Sequence, residues 1–130
     1  MAFKYTEALV TIASLNFDDV VNFYIDLLSK KPVIYIPNVY AEFHIPGMRL
    51  GIFQPKKTHA SEFANSAKST ISLCLEVSNL EDAIAHITNL GYPPPGKISI
   101  ASHGREIYAY DPDGNRIILH QGNSPSSKVI

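Results

Sequence analysis

The chain repeats itself. Asn16-Phe17-Asp18-Asp19-Val20-Val21 is matched later by Asn79-Leu80-Glu81-Asp82-Ala83-Ile84, and Arg49-Leu50-Gly51-Ile52-Phe53 by Arg116-Ile117-Ile118-Leu119-His120. In both copies a strand-like segment precedes the asparagine, a helix follows it, and three short strands come after. The repeated unit is therefore βαβββ. A four-stranded sheet carrying one helix buries only one of its faces well. Two such units must pack together, or against another chain, to complete a core.

Read in order, residues 5–55 form the first module. Tyr5–Ser14 reads as a strand, with Val10 and Ile12 on one face and Glu7, Leu9 and Thr11 on the other. Asn16 is placed to cap a helix with Asp18 and Asp19 in its first turn, where the helix dipole favours anions. Val20, Phe23, Tyr24, Leu27 and Leu28 recur at helical spacing as its inner face, and Lys30-Lys31-Pro32 ends it. Strands are expected at Val33–Ile36, Val39–Ile45 and Arg49–Phe53, with Pro46-Gly47 turning the last pair. Residues 56–68 lack a period and read as a linker.

The second module covers residues 69–121. Thr70–Val77 alternates cleanly, with Ile71, Leu73, Leu75 and Val77 on one face. Asn79 caps a helix that buries Leu80, Ala83, Ile84, Ile87 and Leu90 and stops at Gly91. The stiff Pro93-Pro94-Pro95-Gly96 leads to strands at Ile98–Ser102, Arg105–Tyr110 and Arg116–His120. Asp111-Pro112-Asp113-Gly114-Asn115 turns the last pair. Pro112 fixes one φ, Gly114 or Asn115 can take positive φ, and the aspartates can accept backbone N–H bonds. Residues 122–130 read as a flexible tail, with Val129-Ile130 able to dock. The whole, residues 1–130, is expected to be one α+β domain.

The chain has 130 residues, a net charge of −1 and no basic run, which argues against nucleic acid or an anionic membrane as partner. A lone cysteine, Cys74, excludes an intrachain disulfide and an all-cysteine zinc site. With neither a signal-peptide core nor a membrane-length apolar run, the expected location is the cytoplasm.

The doubled βαβββ order, the Asn16 helix carrying Phe23-Tyr24 and Leu27-Leu28, and Asp111-Pro112-Asp113-Gly114-Asn115-Arg116 resemble the vicinal oxygen chelate superfamily. That superfamily includes glyoxalase I, extradiol dioxygenases, and fosfomycin- and bleomycin-resistance proteins. The resemblance spans roughly residues 5–121. It implies two modules forming a U-shaped cleft, and pairing of modules across a homodimer. It also implies a divalent ion held by His, Gln or Glu from the first and last strands of each module. Those positions fall on Leu9, Gly51, Ser72 and Ile118, and none of the four supplies a usual ligand. No cofactor is therefore expected at the family position. A metal at a displaced site, drawn from His44 and His120, is the alternative.

In this register the cleft collects Leu9, Thr11, Tyr40, Glu42, His44, Arg49 and Phe53 from the first module. The second contributes Ser72, Cys74, Glu76, Tyr108, Tyr110, Arg116, Ile118 and His120. Aromatic area beside arginines suits a small aromatic or anionic organic ligand. Arg49 and Arg116 either bind an anion or pair with Glu42 and Glu106 on neighbouring strands. Cys74 lacks an activating neighbour and reads as an inert thiol. His59 and His103 fall in loops and suggest nothing specific. Two functions follow. One is a metal-free small-molecule binder of the bleomycin-resistance type. The other is an enzyme (lyase, isomerase or dioxygenase) with a displaced metal, or with Glu42 or His44 as an acid/base group.

Overall fold

The structure, a computed structural model, describes residues 2–65 and 68–123. It divides into two compact units, Met1–Ala64 and Asn65–Ile130.

In the first unit the order is β1 (Val10–Ala13), α1 (Phe17–Leu28), β2 (Ile34–Ile36), β3 (Tyr40–Ile45) and β4 (Met48–Phe53). The sheet runs β1-β4-β3-β2, with β1 parallel to β4 and the remaining pairs antiparallel. Alternation sends Leu50, Ile52, Ala41 and Phe43 to one face, where they are buried together with Phe17, Val20, Val21, Phe23 and Tyr24 of α1. Phe17 also stacks on Tyr35 at 6.3 Å.

Three local expectations change here. The first strand is four residues long rather than ten, because only Val10–Ala13 finds partners on β4; Leu9 lies just before it. The Asn16 side chain makes no capping bond. Its backbone N–H instead donates to Ser14 Oγ at 2.9 Å, and its carbonyl accepts from Val20 N at 3.1 Å. Part of the expected linker, Lys57–Phe63, is 3₁₀ helix. It buries none of its residues, so it left no apolar period to read, yet Phe63 meets Phe53 of β4 edge-on at 5.4 Å.

The second unit repeats the plan with β5 (Leu73–Glu76), α2 (Leu80–Asn89), β6 (Ser99–Ala101), β7 (Gly104–Tyr110) and β8 (Arg116–Gly122), in the sheet order β5-β8-β7-β6. Here the asparagine does cap: Asn79 Oδ1 accepts from Asp82 N at 2.9 Å. Leu80 and Ile87 of α2 are buried, as are Ile107, Ala109, Ile117 and Leu119 of the sheet. Arg105 grips Glu81 at the start of α2 with two bonds of 2.6 and 2.8 Å, and Gln121 Oε1 accepts from Leu80 N at 2.7 Å. Strand β8 continues to Gly122, past the expected end at His120. The rest of the expected tail, residues 124–130, lies outside the described residues.

The Asp111 turn works through one carboxylate. Asp111 is buried, and its Oδ1 accepts from Asp113 N and Asn115 N, both at 2.9 Å, while Oδ2 accepts from Asn115 Nδ2 at 2.8 Å. Gly114 is the residue with positive φ, +84°. Among the described residues, no helix is long and apolar enough to cross a membrane.

Candidate functional site

Strand register decides which side chains share a face. In the first sheet Thr11, Gly51, Glu42 and Ile34 lie in one cross-strand row, and Ala13, Phe53, Tyr40 and Ile36 in the next. His44 and Arg49 pair on the same side. The expected face is therefore assembled, turned away from the buried apolar row.

Its centre is Glu42, a carboxylate only 6% exposed. Oε1 accepts from Tyr40 Oη at 2.6 Å. Oε2 is 2.8 Å from His44 Nε2 and 3.6 Å from Arg49 Nη1. Arg49 also lies 3.5 Å from Glu7, so the pairing alternative for this arginine holds. Hydrogen bonds from Tyr40 and then His44 hold the Glu42 carboxyl below its ordinary range against the opposing effect of burial, and the Arg49 charge adds to them. Burial first, then the bond to Glu42 and its charge, pushes the Tyr40 phenol up to about 12. Glu42 is thus a stable anion and a weak base. It fixes His44, whose side chain is half exposed.

The second sheet uses the matching face differently. Cys74, Ile118 and Tyr108 form one row, and Glu76, His120, Glu106 and Ser99 the next. Arg116 does not pair with Glu106, the alternative that spacing left open. Its guanidinium donates to Ser72 Oγ at 2.9 Å and to Ser69 O at 3.0 Å, because Glu106 stands opposite His120 in the register. Partial desolvation and then the Glu106 charge raise the Cys74 thiol, consistent with an inert cysteine. Tyr108 is 48% exposed, whereas Tyr110 is half-buried.

His120 lies on the expected face but is 1% exposed. Its Nδ1 is 2.7 Å from Glu76 Oε1, and its ring stacks on His103 at 5.3 Å. Glu106 joins them, and one ligand atom from each of His103, Glu106 and His120 falls within 4.8 Å of the others. The group around His120 is thus built from its own unit, and His44 belongs to the other unit. His103 escapes a motif search because it sits in the β6–β7 turn with no pattern around it. The readable signal is register: a tight β6–β7 turn carries residue 103 back beside the strand that faces His120.

Compared across solved structures, the chain superposes over nearly its full length on a glyoxalase-related enzyme from Fulvimarina pelagi. The TM-score is 0.73 at 16% identity, covering 96% of each chain. A glyoxalase/bleomycin resistance protein from Catenulispora acidiphila aligns with TM-score 0.66 at 20% identity, over 90% of this chain and 98% of that one. The bleomycin resistance determinant encoded on transposon Tn5 gives 0.63 at 19%, over 92% of this chain and all of its own. The chain has the vicinal oxygen chelate fold. No protein-family model and no curated protein matches the sequence.

The metal position associated with the vicinal oxygen chelate fold does not fit these residues. Leu9 and Ile118 carry no donor atom. At Gly51 the space of a ligand side chain is filled: a Cβ there would lie 2.7 Å from Tyr40 Oη and 2.9 Å from its Cε1. Ser72 offers only a hydroxyl, already bonded to Arg116. A separate open groove of about 630 Å³ lies beside α1, lined by residues such as Asp18, Ile25, Lys31 and Tyr35. Apart from Tyr35, no residue of β1–β4 contributes to it.

Proposed function

We propose that the protein binds a small aromatic or amphipathic organic molecule on the Tyr40–Glu42–His44–Arg49 face of its first sheet. The observation that carries this reading is the buried Glu42 anion, held by three side chains on a face whose flanks are apolar. Ile34, paired with Glu42 across the sheet, is 42% exposed, and Leu9, just before β1, is 40% exposed. Apolar walls around a few fixed polar groups are the usual composition of an organic-ligand site. Arg49 is balanced by Glu7 and Glu42, so the ligand class favoured is one that presents a hydrogen-bond donor or a positive group rather than a bare anion. Pairing of two copies belongs to the same reading, and light scattering on the purified chain measures it.

One observation favours a second reading. Glu42 binds His44 Nε2 while the His44 side chain is half exposed, the arrangement in which a carboxylate orients an imidazole base. In that case His44 is the acid/base group and Glu42 its positioning residue.

The test is a fragment screen of aromatic and amphipathic amines and alcohols, mapped by amide shifts on labelled protein. The binding reading expects shifts clustered at Thr11, Tyr40–Arg49 and Gly51, lost in Glu42→Gln. Hits confined to the groove beside α1, or hits indifferent to Glu42→Gln, overturn it. Turnover of a bound fragment that is lost in His44→Gln supports the enzyme reading instead.

A further inference from the structure

We infer that the second unit holds a borderline divalent transition metal, of the Zn²⁺ class, on His103, Glu106 and His120. The site is independent of the ligand face proposed above and lies one row along the sheet from Ile118, the family position.

The argument starts from a buried atom. Among the described residues His120 Nε2 has no hydrogen-bond partner, in a side chain that is 1% exposed. A buried polar atom in that state requires an explanation. The other ring nitrogen supplies one. Nδ1 faces Glu76 Oε1 at 2.7 Å, and a carboxylate only accepts, so Nδ1 carries the proton. In the neutral ring Nε2 is then the nitrogen with the free lone pair. Glu76 is itself fixed by Gly122 N, which donates to its other oxygen at 2.8 Å. A carboxylate on one nitrogen and a lone pair on the other is the arrangement that orients a metal-binding histidine.

His103 and Glu106 are half-buried beside His120, and one ligand atom from each of the three residues lies within 4.8 Å of the others. Bonds of about 2.0–2.1 Å to nitrogen and oxygen need donors closer than that, about 3.4 Å apart in a tetrahedron. The remaining closure falls on side-chain torsions: the His103 ring, stacked on His120 at 19°, has to turn so that both rings aim a nitrogen at the ion. The turn carrying His103 is anchored by its backbone, since Asn123 N donates to His103 O at 3.3 Å and Asn123 Nδ2 to Ser102 O at 2.7 Å. Gly104 keeps the space beside this atom open: a Cβ there would stand 2.9 Å from His120 Nε2. Two imidazoles and one carboxylate select Zn²⁺, Ni²⁺ or Co²⁺ over Mg²⁺ or Ca²⁺, and leave a fourth position for water or a ligand atom.

The test uses the untagged full chain, stripped with chelator and titrated with Zn²⁺ by calorimetry and with Co²⁺ by visible absorption. One ion per chain is expected, with a tetrahedral Co²⁺ band. His103→Ala and Glu106→Gln alter half-buried side chains and should keep the fold by circular dichroism. Each should abolish the band. Glu76→Gln, which alters the group that orients His120, should weaken binding about 10- to 100-fold. No Zn²⁺ binding by the parent overturns the proposal. So does binding that survives both His103→Ala and Glu106→Gln, because the ion would then sit elsewhere, for instance on His59 or His86.

Discussion

Replacing Glu42 by glutamine removes a charge and leaves the shape. The new amide oxygen can still accept from Tyr40, and the amide nitrogen can turn toward His44. What disappears is the anion beside the phenol. In the parent, Tyr40 is raised from 10.0 to about 12, with burial the first cause and Glu42 the next two, through its hydrogen bond and its charge. Burial is unchanged in the variant, and a bond to a neutral acceptor is about half as strong as one to a carboxylate. The Tyr40 pKa should therefore fall by about one unit and stay above 10. The assay is alkaline difference titration of tyrosinate absorbance, parent minus variant, with Tyr40→Phe identifying which of the seven tyrosines moves. The sign for stability follows. A pKa raised on folding contributes stability that is complete below pH 10 and lost as pH climbs from 10 to about 12. The variant should lose part of that alkaline limb. An unchanged Tyr40 titration in Glu42→Gln would refute the reasoning and leave burial as its sole cause.

Glu42 acts at the other end of the scale: its pKa is lowered on folding, so its contribution is present above 4.5 and lost as pH falls through its folded value. Urea midpoints followed from neutral pH down through the carboxylate range should decline less steeply in Glu42→Gln than in the parent; parallel curves would count against it. Asp111→Ala strands three donors in a buried turn, and should cost about 3 kcal/mol, lowering Tm by about 10 °C. Asp111→Asn keeps one acceptor oxygen and should cost less, and equal losses would show that the carboxylate is not what holds the turn. Gly104→Ala places a Cβ against the Gln121 carbonyl and 3.0 Å from Gly122 Cα, at a φ of +152°. Backbone cannot swing aside as a side chain can, so a loss of about 3 kcal/mol by thermal melting is expected, and a change under about 2 °C would contradict the clash.

How much of this was legible from the residues alone depends on whether the signal is local. The repeat, the two helices and the register were legible. Val10, Ile12, Leu50, Ile52, Leu73, Leu75, Ile117 and Leu119 alternate with period two, and a one-residue slip would turn the buried Leu50, Ile52, Ile117 and Leu119 outward. The positions that the resemblance points to, Leu9, Gly51, Ser72 and Ile118, follow in the same way from counting along strands. Three things required the folded chain. Tyr40 fills the space over Gly51 because β3 lies beside β4, a fact of pairing that no sequence spacing contains. Arg49 pairs with a glutamate while Arg116 turns to serines, although the two hold equivalent repeat positions, because Glu42 faces Gly51 and Glu106 faces His120. His103 shows no pattern in sequence, and only the tight turn before β7 brings its ring onto His120. Periodic patterning fixes which face a side chain occupies; the atoms it meets there are chosen by strand neighbours far away in the chain.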